Sequence, residues 1–350
     1  MTAVELPATM PAAVYREKGV LEVAEVETPA VGPHDVLLEV SHCGVCGSDL
    51  HMVLEGWGTP GTIEGHEYTG VVAAVGDAVT RWQVGQPVVA GPSRRCGECA
   101  ACRAGRPSVC LNREEVGTGG HQGAYARFSL THEDEILALP EGLSLRAAAL
   151  AEPLAVALHG ITQARVEAHH RVIVFGAGPI GALTTAALVA QGVAEVTVVE
   201  PAPTRQALAR AVGATQVLAP DEVPEPDWHP GHVLDQAYDR AIECSGHRSA
   251  MEQALGQLGR MGRLVLVGAG IDPPRFDANR ITLNELEITG AFVYDANGFA
   301  DALALLPRLP VEQLIEPVDV ALPDLLTAME RLAAGELAGK VMVTPGGTDD

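Results

Sequence analysis

A run of glycines between an apolar strand and an alanine-rich helical segment constrains the fold of this chain more than any other feature. Gly176-Ala-Gly178-Pro179-Ile180-Gly181 follows the apolar residues 172–175 and opens a segment, 179–191, with helical composition. Glycines so placed let the backbone approach a pyrophosphate at a helix N-terminus, where unpaired N–H groups and the helix dipole favour negative charge. A glycine pattern alone is weak evidence. Here Glu200 ends the next apolar run, twenty-two residues after Gly178, where a carboxylate accepts hydrogen bonds from an adenosine ribose and repels a 2′-phosphate. NAD is therefore expected over NADP, with Arg205 nearby as the one residue favouring the phosphate.

Apolar runs and helical segments alternate through this half of the chain. Strands are predicted at 171–175, 194–200, 240–244, 263–267 and 287–292, with helices at 179–191, 204–212 and 249–258, which gives a doubly wound parallel sheet. Before residue 155 the chain reads as short strands punctuated by Gly and Pro, at 36–40, 70–75, 87–90 and 124–130, the pattern of a β-rich barrel-like domain. Helices at 299–306 and 325–334 and a strand at 340–343 are expected to return towards that first domain. Residues 221–230 read as an acidic, proline-rich loop and 1–9 as a loose extension. A length of 350 residues with 47% hydrophobic side chains suits two domains.

The formal net charge of −22, with Lys18 and Lys340 the only lysines, argues against nucleic acid, whose binding depends on cationic side chains displacing counterions. No apolar run reaches the length needed to cross a bilayer, and no cationic leader with an apolar core begins the chain. The expectation is a cytoplasmic protein without a membrane partner. There, cysteines serve metals or chemistry more often than disulfides.

Six of the seven cysteines fall in two groups. Cys96, Cys99, Cys102 and Cys110 lie in a stretch too poor in apolar residues to fold by burial, and four thiolates at that spacing predict a closed, tetrahedral structural zinc site. The second group begins Cys43-Gly-Val-Cys46-Gly-Ser48-Asp49-Leu-His51 and is followed by Gly65-His66-Glu67-Tyr-Thr-Gly70 and Gly76. Cys46, His66 and a carboxylate are the ligand types of a catalytic zinc that keeps one position open.

The run Gly-His-Glu, two residues, Gly, five residues, Gly, two residues, Val79 resembles the signature of the zinc-containing medium-chain alcohol dehydrogenase family, closer to its sorbitol and threonine dehydrogenase branch. The resemblance extends from Ala12 to Val343. It implies a GroES-like barrel domain over 1–155 with both zinc sites, a Rossmann domain over 156–292, a return to the first domain over 293–350, and an active site in the cleft between them. Cys46 and His66 match the family's two fixed ligands. The third is open between Glu67 and Glu152, the latter in Ala151-Glu152-Pro153, while Cys43 falls outside the ligand pattern and is taken as structural. Ser48 and His51 resemble the family's proton relay. Along the dinucleotide the resemblance places Ser245 and Gly246, Val267 to Ala269, and the backbone of Ala291 and Val293; Lys340 aligns with a basic position near the pyrophosphate, a plain surface lysine being the alternative.

The implied activity is hydride transfer between an alcohol and NAD, reversible to carbonyl reduction, by a homodimer or homotetramer. Sorbitol-type relatives carry an arginine where this chain has Phe292-Val293-Tyr294, which shifts the expected substrate from a polyol to a less polar secondary alcohol or its ketone. Met52, Leu54 and Trp57 serve either that pocket or core packing. The competing readings are a zinc-free NADPH quinone or enoyl reductase of the same fold and a non-catalytic dinucleotide-binding protein. Cys244 is expected to be buried, and no role is assigned to His121, His159, His169, His170, His229 or His232.

Overall fold

The computed structural model describes residues 6–91, 95–113, 122–295 and 298–347; His121 lies outside them. The chain divides into two compact units, one of Met1–Glu152, Ile315–Glu336 and Lys340–Asp350, the other of Pro153–Leu314 and Leu337–Gly339. In chain order the strands are β1 (Thr9–Glu17), β2 (Val20–Glu27), β3 (Asp35–Gly44), β4 (Glu67–Val75), β5 (Pro87–Ala90), β6 (Phe128–His132), β7 (Ile136–Ala138), β8 (Arg171–Phe175), β9 (Glu195–Val199), β10 (Gln216–Leu218), β11 (Tyr238–Glu243), β12 (Leu258–Leu266), β13 (Glu287–Gly290) and β14 (Met342–Val343).

In the first unit β3 is the organising strand. It pairs antiparallel with β4 along one edge and with β6 and then β14 along the other, in a sheet ordered β14-β3-β4-β5-β7. Val36, Leu37 and Leu38 are all fully buried, so this stretch of β3 is covered on both faces. The spaced glycines after Glu67 have a packing cause. Gly70 stands opposite Val40, and a Cβ there would collide with the carbonyl oxygen of Glu39; one on Gly76 would collide with that of Gly32.

The second unit is a parallel sheet in the order β10-β9-β8-β11-β12-β13, the 3-2-1-4-5-6 arrangement of a Rossmann fold. The central strands β8 and β9 are buried on both faces, which is why they read as continuous apolar runs rather than as alternation; the edge strands β10 and β13 are partly exposed. The helix Pro179–Ala190 starts directly after β8, with Gly178 as its N-cap.

Several boundaries differ from the sequence expectation. Residues 293–314, assigned above to the return, cluster with the second unit: the helix Gly298–Leu305 buries Ala302 and Leu305, and Arg308 donates to the carbonyl of Ala190 at the end of the helix Pro179–Ala190. Thr9, placed in a loose extension, begins β1, whose Ala12 to Tyr15 are buried. The 124–130 strand begins only at Phe128, because Ala126 forms an isolated bridge to Ala12. The helix Ala151–Ala164, which carries Glu152, was not anticipated. Among the described residues no helix is long and apolar enough to cross a membrane.

Replacing Gly70 with Ala must force β3 and β4 apart locally. The expected cost is about 1–3 kcal/mol, read as an earlier denaturation midpoint, whereas Gly142→Ala, which meets no neighbour within 4 Å, reports the separate cost of its positive φ.

Candidate active site and metal centres

The β3–β4 ladder assembles the first metal centre. Gly44 and Glu67 are paired across it, so the chain leaving β3 and the chain entering β4 run side by side. Cys46 follows as the N-cap of the short helix Gly47–Leu50, and His66 immediately precedes β4. Donor atoms of Cys46, His66 and Glu67 lie within 4.8 Å of one another. Thiolate, imidazole and carboxylate converging from three backbone positions fit Zn²⁺ with a position to spare. Gly65 is at φ +97°, and a Cβ there would stand 2.9 Å from Cys43 Sγ and from the Tyr125 ring, so only glycine lets the loop deliver His66 at this depth.

Around these donors is a shell that sequence reasoning did not assign. Asp49 is buried, accepts from the backbone N–H of Cys46 at 2.8 Å and from the Tyr125 hydroxyl at 2.5 Å, and stands 3.6 Å from His66 Nδ1. Burial opposes a charged His66, but Cys46 and Asp49 outweigh it and hold its pKa well above the ordinary value. Asp49 was visible within the Cys-Gly-Ser-Asp run; Tyr125, far along the chain, left no local signal. Cys43 is buried, and that burial, with Asp49 and Glu67 adding to it, pushes its thiol well up, consistent with a structural residue.

Lys340 is neither a surface lysine nor a free cation. It is 1% exposed, donates to the Val45 carbonyl at 3.0 Å and to Glu67 Oε1 at 2.8 Å, and lies 2.7 Å from Oε2. It reaches this depth because β14, just beyond it, pairs with the end of β3. Glu152, in the first turn of the helix Ala151–Ala164, is also buried but does not join the group of Cys46, His66 and Glu67. Burial raises its carboxyl from 4.5 to about 7, with Glu67 adding to the rise and His66 and Lys340 opposing it.

Ser48 is exposed on the helix Gly47–Leu50, and His51 opens the π-helical turn His51–Glu55 directly after it. The His51 ring stacks on Trp57 with centroids 4.9 Å apart and planes 17° from parallel. Of the other two residues weighed for a pocket, Met52 and Leu54, both are partly buried, with Val53 between them fully buried.

Cys96, Cys99, Cys102 and Cys110 converge, with donors within 4.8 Å of one another. Their sulfurs are unbonded: Cys96 and Cys110 lie 3.5 Å apart, far beyond a disulfide's length. Backbone N–H groups of Cys96, Cys99 and Cys102 point at the sulfurs of Cys110, Cys96 and Cys99. The N–H of Cys102 is the main reason Cys99 falls to about 6, whereas Cys102 rises to about 12 through desolvation and its thiol neighbours. The four-sulfur donor set fits a closed, tetrahedral zinc site.

In the second unit the glycine turn sits at the end of β8, with Gly176 at φ +90° and a Cβ on Gly181 excluded by the carbonyl oxygen of Gly176. Glu200 is buried beside it: Oε2 accepts from the N–H of Ala177 at 2.7 Å and Oε1 from that of Ala202 at 2.9 Å. Arg205 lies in the following helix and donates to the carbonyl of Leu337 at 3.3 Å. Glu243, unassigned from sequence, ends β11 fully buried and accepts from the N–H and hydroxyl of Ser245 and from the N–H of Gly246. That turn packs directly on the one after β12, since a Cβ on Gly246 would strike the backbone of Ala269 and one on Gly268 would strike Gly246. Val267 is bonded to the Glu243 carbonyl, and Ala291 N–H to that of Leu266. Val293 adopts φ +53°, a strained conformation for a β-branched residue.

Two predictions concern the first centre. Lys340→Met leaves Glu67 a buried, uncompensated charge and should destabilise the protein by about 3–5 kcal/mol, partly recovered in the double variant with Glu67→Gln when unfolding is followed in denaturant. Because the raised pKa lets folded Glu152 keep a proton that the unfolded chain has lost, its contribution to stability is full below 4.5 and disappears as pH rises through about 7. Chelator-treated protein should therefore lose stability between pH 5 and 7, and Glu152→Gln should flatten that slope.

Comparison with known proteins agrees with the two-unit architecture. Residues 32–141 match the alcohol dehydrogenase GroES-like domain and residues 179–308 the zinc-binding dehydrogenase domain. D-xylulose reductase A of Aspergillus niger is 32% identical over 87% of this chain and 88% of its own, and sorbitol dehydrogenase of Bacillus subtilis is 30% identical over 86% and 87%. A structure from Sinorhizobium meliloti, assigned as a zinc-binding dehydrogenase and bound to NADP, superposes with a TM-score of 0.86 at 28% identity, covering 97% of this chain and all of its own. With its GroES-like and Rossmann units, convergent metal donors and matched relatives, this chain belongs to the zinc-dependent medium-chain alcohol dehydrogenases, in the sorbitol dehydrogenase-like branch.

Proposed function

We propose that the protein is an NAD-linked dehydrogenase of secondary alcohols that also reduces the corresponding ketones. The observation that carries this reading is the convergence of Cys46, His66 and Glu67. Glu67 is the third zinc ligand in this reading, supported by its place in that group; Glu152 stands outside it and, at about 7, is half protonated near neutrality. Zinc held there supplies Lewis acidity towards an alcohol or carbonyl oxygen, and the nicotinamide supplies or accepts the hydride.

The chain's own residues do the rest. Asp49, anchored by Tyr125, orients His66. Ser48 takes the alcohol proton and passes one to His51, so that charge need not build up beside the bound oxygen. Gly176, Gly178, Pro179, Ile180 and Gly181 offer the helix N-terminus to the pyrophosphate. Ser245, Val267 and Ala269 line the dinucleotide, and the strained backbone at Val293, with Ala291, meets the carboxamide. Glu200 favours NAD because its carboxylate occupies the place where a 2′-phosphate would bring further negative charge; Arg205 is the counterweight.

For the substrate, the sorbitol and xylulose enzymes among the relatives point to secondary alcohols. Residues 292–294 bring no cation to hold a polyol, and exposed Trp57 beside His51 favours an apolar chain. A homodimer or homotetramer in the cytoplasm completes the reading, checked by sedimentation.

The decisive experiment screens secondary alcohols, polyols and ketones with NAD(H) and NADP(H), alongside a zinc count. Activity highest with NAD and an unbranched secondary alcohol is expected, with two zinc ions per chain. Cys46→Ala should lose the catalytic zinc and about 10³-fold or more in kcat/KM, keeping the lobe zinc; unchanged activity would refute the proposed mechanism.

A further inference from the structure

The turn that carries His51 contains a second acid–base group. His51–Glu55 is a single π-helical turn, a form that often marks functional positions. Within it, His51 Nδ1 and a carboxylate oxygen of Glu55 lie 2.8 Å apart. Nδ1 is shielded from solvent and has no aligned hydrogen-bond partner, so this carboxylate is the group with which it can share a proton.

The surroundings hold the pair together. One face of the imidazole is covered by the Trp57 indole. Gly56 ends the turn at φ +87°, and a Cβ there would press on the side chain of Lys18, at 3.1 Å from its Cβ. The β1–β2 hairpin is tied to the same turn by a bond from Gly19 N–H to the Val53 carbonyl at 2.8 Å. Lys18 is thus the charged group that the hairpin brings to the turn. From the preceding helix the charged residue is Asp49, engaged with Tyr125 and Cys46.

We infer that Glu55 is a positioning residue of the proton relay, holding the proton of neutral His51 on Nδ1 and leaving Nε2 as the acceptor. The inference rests on the Ser48–His51 reading given above. In alcohol oxidation, Ser48 Oγ gives its proton to His51 Nε2 and is reprotonated by the alcohol. The imidazolium then gives its Nε2 proton to water, while Glu55, 2.8 Å from Nδ1, keeps the Nδ1 proton on the ring, so that His51 returns to the tautomer from which it started. Each transfer moves one proton, and no other co-reactant is needed. The carboxylate also lowers the cost of the imidazolium that forms midway.

The test compares Glu55→Gln, Glu55→Asp and His51→Gln in the zinc-loaded enzyme, with the best secondary alcohol of the panel and NAD. Glu55→Gln should keep zinc content and both KM values and lower kcat by about tenfold. Glu55→Asp should restore most of kcat. If His51→Gln slows turnover while Glu55→Gln matches the parent in kcat, Glu55 has no such role. If His51→Gln is itself silent, the Ser48–His51 relay fails and this inference falls with it.

Discussion

The buried pair of Glu67 and Lys340 is the contact on which the first unit's site depends. It joins residues 273 positions apart, and Lys340 at the same time donates to the Val45 carbonyl at the end of β3. Three chain segments are thereby fixed to one another at the point where the metal donors converge. A buried carboxylate without this partner would carry a penalty of several kcal/mol, so the geometry of β14 against β3 is part of the metal site even though β14 supplies no ligand.

The second unit obtains its order differently. Backbone meets backbone where the turns after β8, β11 and β12 come together, with Gly176, Gly246 and Gly268 leaving no room for side chains. Glu243 and Glu200 bind backbone N–H groups in those turns. Both carboxylates act first as templates for loop shape. A surface assembled this way meets a ligand with its groups already in place, which reduces the entropy lost on binding.

What could be read from sequence was whatever is encoded by short spacing. The glycine turn with Glu200, the four-cysteine lobe and the Cys46 and His66 runs each lie within a few dozen residues, and each sits where its local pattern put it. The inner parallel strands β8, β9, β11 and β12 were legible because burial makes them apolar runs, whereas the short, partly exposed edge strand β10 escaped notice. By contrast, Tyr125 on Asp49 and Lys340 on Glu67 are contacts created by strand pairing across long separations, and no periodicity encodes them. The β1–β2 hairpin escaped notice because β2, with its alternating acidic residues, is largely exposed. The end of the second unit was misplaced because a helix that packs on a sheet and one that leads away from it have the same amphipathic pattern.

If NAD is the cofactor, as proposed above, the position of Glu200 limits how this chain can change it. Both of its oxygens are engaged by amides, one of them in the glycine turn itself. An evolving or engineered enzyme that removed this negative charge to admit a 2′-phosphate would also unfasten the glycine turn proposed to receive the pyrophosphate. Selectivity and local order are therefore inherited together, and a switch of cofactor requires a replacement anchor for Ala177 before it can bring an advantage.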